Sequence, residues 1–207
     1  MLIGIDFDNT LIHYGLVFRE LAVERGLVPP SIPADKEAVR AHVWERFDDL
    51  EWQKLQAAVY GPGIGRGVFM EGAPEFLRLC RSRGIDLCIV SHKSEHAAID
   101  PGGVNLRKAA LGWMEEQGFF VPVHDGGFGF ARSDVFFEAR RAEKVARINR
   151  LGCAVFVDDL REVLDHPDLN GSVRRILYRE CLDATHDYAL AGPWPSISEY
   201  LFVGGRE

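Results

Sequence analysis

The constraint that bears hardest on this chain is a repeated handover from helical pattern to short apolar run. Residues 2–5, 86–90, 135–137, 153–157 and 173–178 are brief stretches rich in Ile, Val and Cys, with helical patterns between several of them. That alternation is expected of a parallel sheet covered by helices on both faces. Gly84 and Gly152 stand just before two of the runs, where a helix C-terminus hands over to a strand. The early runs are each followed by polar or acidic residues, and open α/β sheets place their ligand sites at such carboxyl ends.

Between residues 11 and 70 the strand signal disappears. Residues 16–25 read as a helix ended by Gly26, and Pro29, Pro30 and Pro33 make 28–33 a loop. A second helix is expected from an N-cap at Asp35, with Val39, Val43, Phe47 and Leu50 at helical spacing and Trp44 and Trp52 broadening the stripe. Gly61-Pro62-Gly63-Ile64-Gly65 ends it, and residues 73–82 form the next helix. The parse is therefore a core domain of residues 1–13 plus 70–207, interrupted by a helical insertion over 14–69. Trp44, Phe47, Trp52 and Tyr60 are read as the insertion's own core rather than as a stacking platform. A polar loop through residues 100–103 precedes a helix over 104–117, and residues 121–133 are expected to be irregular.

Composition narrows the function classes. With 207 residues and 47% hydrophobic content the chain can pack a sizeable core. Its 31 acidic and 24 basic residues give a net charge of -7, which argues against an extended nucleic-acid partner. Cys80, Cys88, Cys153 and Cys181 form no Cys-x-x-Cys pair, so they are read as reduced thiols of a cytoplasmic protein. The start shows no basic n-region and no apolar run has the roughly 18 residues of a membrane span, so neither a targeting segment nor a membrane partner is expected.

The chemistry concentrates in Asp6-Phe7-Asp8-Asn9-Thr10-Leu11, directly behind the first apolar run. Two acidic side chains so close repel one another unless a cation or a shared proton intervenes. Three further signals follow in order: Ser91 after Ile89-Val90, Lys144 on a probable helix, and Asp158-Asp159 after Phe156-Val157.

On these four motifs the chain resembles the haloacid dehalogenase superfamily of aspartate-nucleophile phosphohydrolases. The resemblance implies a Rossmann-like three-layer α/β/α parallel sheet with a small helical cap between the first and second motifs. It implies Asp6 as nucleophile, Asp8 as general acid and base, and Lys144 as the compensating cation, with Lys93 the rival for that place. Mg2+ would be held by Asp6, the Asp8 main chain and Asp158, with Asp159 as a water-mediated or supporting ligand. Thr10 would position Asp8 or the turn, and with Ser91 and His92 would stand around the phosphate.

His13, Tyr14 and Lys93 are the expected substrate contacts. The layout is loosely similar to small-capped 5'(3')-deoxyribonucleotidases, which implies a small phosphorylated metabolite, a nucleotide or sugar phosphate, as partner. Two other readings stay open: a polynucleotide 3'-phosphatase or other phosphotransferase of the superfamily, and a non-catalytic regulatory domain. No oligomeric partner is indicated.

Overall fold

The computed structural model describes residues 1–100, 103–183 and 187–203. In chain order the elements are β1 (Leu2–Ile5), β2 (Ile12–His13), α1 (Gly15–Glu24), α2 (Lys36–Arg46), α3 (Asp49–Tyr60), β3 (Val68–Phe69), α4 (Ala73–Ser82) and β4 (Asp86–His92). Then come α5 (Leu106–Glu116), β5 (Val135–Glu138), α6 (Arg141–Leu151), β6 (Val155–Asp158), α7 (Arg161–Leu164), β7 (Arg174–Tyr178), β8 (Leu190–Gly192) and α8 (Trp194–Phe202). Two compact units result: Met1–Leu11 with Phe69–Lys93 and Gly118–Glu207, and Ile12–Val68 with Ser94–Gln117.

The first unit is built on a six-stranded parallel sheet in the order β5-β4-β1-β6-β7-β8. The five apolar runs of the sequence are five of these strands, and β1 lies between β4 and β6. Ile3, Gly4 and Ile5 of β1 are buried, and Leu2 is partly so. Cys88, Val90, Phe156, Leu177 and Ala191 pack on Val145 and Ile148 of α6 and Val163 and Leu164 of α7. Phe76 of α4 and Trp194 of α8 meet with ring centroids 4.6 Å apart, and Tyr178 of β7 lies 5.7 Å from the same indole. A sheet wrapped on both faces needs continuous apolar runs rather than alternation.

Gly4, within β1, permits a close approach of the neighbouring strand β6. A Cβ there would lie 2.6 Å from the Phe156 ring and 2.9 Å from Cys153 Sγ. Helix ends follow their local chemistry as well. Gly152 takes φ 68° as the C-cap of α6, and Gly84 takes φ 66° just past α4. Both adopt the left-handed conformation that ends helices at little cost for glycine. The strand β8 and the helix α8 carry no run or stripe that the sequence reading recognised.

The second unit is helical, with β2 and β3 paired as a two-stranded ribbon. Asp35 caps α2 by accepting from the Ala38 N–H at 2.7 Å, as its position suggests. The expected single helix is instead two. Phe47 leaves the helical region, and Asp48 starts α3 by accepting from the Glu51 N–H at 2.9 Å. The break rotates the stripe. Val39, Val43, Trp52, Leu55 and Val59 are buried, whereas Trp44 and Phe47 are 50% and 45% exposed. The core reading therefore fails for Trp44 and Phe47 and holds for Trp52, whose indole stacks on Phe18 at 5.2 Å.

Residues 94–117 pack with this unit rather than with the sheet to which the sequence parse gave them. Asn105 caps α5, and Trp113 on it is buried and donates Nε1–H to the Gly67 carbonyl at 3.0 Å. Residues 101–102 of the expected polar loop lie outside the described residues. No described helix is long and apolar enough to cross a membrane.

Candidate active site

The sheet register decides which side chains meet. Ile5 of β1 is level with Ile89 of β4 and with Val157 of β6, and the Asp6 N–H donates to the Val157 carbonyl at 2.9 Å. Asp6, Ser91 and Asp158 therefore gather at the carboxyl ends of three adjacent central strands. Strand order reverses here: the chain runs outward from β1 to β4 and β5, then returns to place β6 on the other side of β1. Crevices at such switch points are the usual ligand sites of open α/β sheets.

A tight turn shapes the first motif. The Leu11 N–H donates back to the Phe7 carbonyl at 3.0 Å, and Asn9 between them takes φ 58°. Asparagine adopts this conformation at lower cost than other non-glycine residues. The turn returns the Thr10 hydroxyl to 3.4 Å from Asp6 Oδ2 and 3.4 Å from Asp159 Oδ1. Those distances are long for O–H···O bonds, so the hydroxyl spaces the two acids more than it binds either. Trp194 pins the turn from behind by donating Nε1–H to the Thr10 carbonyl at 2.8 Å.

Lys144, fully buried on α6, reaches Asp6 Oδ1 at 2.5 Å and Asp158 Oδ2 at 2.7 Å. Asp158 Oδ1 accepts from the Leu160 N–H at 3.0 Å, so this side chain is both ion pair and turn former. Lys93 takes a different carboxylate, Asp8, at 2.8 Å from Oδ2 and 3.0 Å from Oδ1. The two candidate lysines thus do not compete for one place.

The electrostatics leave the cluster acidic. Burial pushes the Asp6 carboxyl well above its ordinary range; Lys144 opposes that rise, while Asp158, Asp159 and Asp8 add to it. Burial also opposes the charge on Lys144, but Asp158 and Asp6 outweigh it and hold the ammonium above the usual lysine range. One oxygen from each of Asp6, Asp158 and Asp159 lies within 4.8 Å of the others. Three hard oxygen donors with excess negative charge fit a hard divalent cation such as Mg2+.

Of the other expected residues, Ser91 stands with the cluster and several do not. Ser91 is buried in β4 with an Oγ that has no hydrogen-bond partner among the described residues, consistent with a donor kept for a ligand. His92, its neighbour, points to the opposite face because strand side chains alternate. Its exposed ring lies 3.0 Å from the Ala139 carbonyl, away from the phosphate-binding role expected of it. Tyr14 is fully buried and packs edge-on against Tyr60 at 5.0 Å, so it serves the second unit's core rather than a substrate. His13 is half-buried on β2 of the same unit. Arg66 of the same unit is engaged by Glu24 at 2.8 Å and Glu20 at 3.5 Å.

Sequence reading missed Arg179. Directly behind β7, it donates to the Asp159 carbonyl at 2.7 Å and the Tyr178 carbonyl at 2.9 Å, bracing the turn that carries Asp159. The signal was present, because Arg179 is the polar residue immediately after an apolar run, the same cue that marked Asp158.

No sequence-family model matches the chain, and no curated protein matches it. Solved structures do. A predicted phosphoglycolate phosphatase from Haemophilus somnus aligns over 97% of this chain and 97% of its own, with TM-score 0.54 and 12% identity. A HAD-superfamily hydrolase from Ehrlichia chaffeensis aligns over 97% and 95%, with TM-score 0.53 and 11% identity. A haloacid dehalogenase-like family hydrolase from Xanthomonas campestris aligns over 97% and 95%, with TM-score 0.50 and 12% identity. Likeness at this identity establishes a shared fold.

Proposed function

We propose that this chain, which has the haloacid dehalogenase fold, is a Mg2+-dependent phosphatase that hydrolyses a small phosphomonoester through an aspartyl-phosphate on Asp6. One observation carries the reading: a buried lysine bridges Asp6 and Asp158 at a strand-end switch point, with Asp159 close enough to complete an oxygen-ligand set. Phosphoryl transfer asks for an in-line nucleophile and neutralised phosphate oxygens, and this cluster has the parts for both.

Asp6 attacks phosphorus, forming the carboxylate-oxygen-to-phosphorus bond as the bond to the leaving oxygen breaks. The leaving oxygen takes its proton from Asp8. Water then attacks the phosphoryl group, giving its proton to Asp8 as the bond to Asp6 breaks; phosphate departs and both side chains return to their starting states. Asp6, Asp158, Asp159 and the Asp8 main chain are the expected holders of Mg2+, whose chemistry when bound is to offset charge between carboxylate and phosphate oxygens. Lys144 keeps Asp6 oriented, and the Ser91 hydroxyl is the donor assigned to a phosphate oxygen.

For the substrate, a nucleotide or sugar phosphate is the class proposed, and the net charge of -7 disfavours a polynucleotide. All four cysteines are free, three of them buried, which suits a reducing, cytoplasmic setting. The test is phosphate release from a panel of phosphorylated metabolites and an activated aryl phosphate, with and without Mg2+, beside Asp6→Asn. Turnover should require Mg2+ and fall at least about 10³-fold in the variant. No release from any ester would sink the enzyme reading; full activity in Asp6→Asn would sink the covalent route alone.

A further inference from the structure

We infer that Lys93 is the positioning residue for Asp8, so that two buried lysines divide the site, one serving the nucleophile and the other the acid/base. This inference rests on the phosphatase reading above. Its basis is a juxtaposition: Lys93 Nζ lies within 3.0 Å of both Asp8 carboxylate oxygens, while Lys144 engages Asp6 and Asp158.

Lys93 is placed with little freedom. Its N–H donates to the Glu138 carbonyl at 2.9 Å, carrying the β4–β5 pairing one residue past β4. Alternation along the strand gives Ser91 and Lys93 one face and His92 the other. The Lys93 side chain is 4% exposed, and its ammonium lies 5.9 Å from the Phe7 ring centroid. Lysine is among the costliest side chains to bury and to immobilise, so one held this way serves a fixed geometry.

Gripping both oxygens fixes the plane of the Asp8 carboxylate, which a single contact would leave free to rotate. An acid/base must face the leaving oxygen in one step and water in the next, and proton transfer falls off steeply when the donor is misaligned. The Asp8 side chain keeps 20% of its surface exposed, so the ammonium grips a carboxylate that still reaches solvent. Lys93 supplies such a constraint on Asp8, while Lys144 holds the nucleophile.

Lys93→Met and Lys93→Arg are compared with the wild type on an unactivated alkyl phosphate and an activated aryl phosphate, both with Mg2+. Alcohol released in the first turnover isolates the step in which Asp8 protonates the leaving oxygen. Lys93→Met should lose about 10²-fold or more on the alkyl ester and less than about 10-fold on the aryl ester, whose leaving group needs no proton. KM should change little, and Lys93→Arg should recover part of the loss. In an Asp8→Asn background the Lys93→Met effect on the alkyl ester should shrink to a few-fold, because the side chain it positions is already disabled.

Equal losses on both esters, a rise in KM with unchanged kcat, or effects of Lys93→Met and Asp8→Asn that multiply would overturn the inference, marking Lys93 as a phosphate ligand or a structural tie. If Lys93→Met does not fold, Lys93→Arg carries the same comparison: the alkyl ester must suffer more than the aryl ester, and equal effects overturn the assignment. A wild type that turns over neither ester removes the phosphatase reading and this inference with it. An active wild type with an indistinguishable Lys93→Met removes this inference alone.

Discussion

Lys144 and Asn9 show how differently single residues sustain the cluster. Lys144 is a buried cation between Asp6 and Asp158, and its loss leaves carboxylates facing one another. Removing one partner of a buried ion pair costs about 3–5 kcal/mol. Lys144→Met should therefore lower denaturant stability by that order and cut turnover by at least about 10²-fold, as loss of a preorganised electrostatic donor does. Wild-type stability in the variant would refute the burial argument. Asn9 acts through its backbone, at φ 58°. Asn9→Gly should be near neutral, whereas Asn9→Val should cost about 1–2 kcal/mol in equilibrium unfolding, and equal midpoints for the two would rule out a conformational cause. Asp6, Asp8, Ser91, Asp158 and Asp159 were legible as polar residues behind apolar runs. Lys144 and Lys93 could not be apportioned from the sequence, since which carboxylate a lysine reaches depends on where its helix or strand end packs.

At the scale of elements, β1 is decided by what surrounds it. Gly4 sits where a Cβ would meet the Phe156 ring and Cys153 Sγ. Gly4→Ala should destabilise by about 1–3 kcal/mol, the usual cost of overpacking, and Phe156→Leu in the same chain should recover part of it. Chemical denaturation of the single and double variants measures this, and strictly additive losses would exclude the clash. The split between α2 and α3 carries a different lesson. Val39, Val43, Phe47 and Leu50 keep helical spacing across a break, so periodicity alone joined two helices; Asp48, a second capping residue, was the overlooked boundary signal. β8 escaped notice because Leu190–Gly192 is only three residues long, too short for any period to register.

For the whole molecule, the acidic cluster couples folding to cation binding. Burial raises the Asp6 pKa in the folded chain, so the folded form binds more protons than the unfolded one through that window. The sign follows: this group's contribution to stability falls as pH rises from the ordinary aspartate range, about 4, through the folded value. A divalent cation binds the deprotonated form and offsets the loss. Mg2+ should therefore raise the melting temperature, by about 5–10 °C at a hundredfold excess over its Kd, and by more near about pH 8 than near about pH 5. An effect independent of pH, or one retained in Asp6→Asn, would contradict the linkage. Apolar runs and the polar residues behind them determined the parallel sheet and most of the acidic cluster, because strand burial and strand-end chemistry are written in local patterns. Which lysine serves which carboxylate, the alliance of residues 94–117 with the second unit, and the bracing of Asp159 by Arg179 were decided only by tertiary structure. Each depends on the packing of segments distant in sequence, and no local pattern encodes that packing.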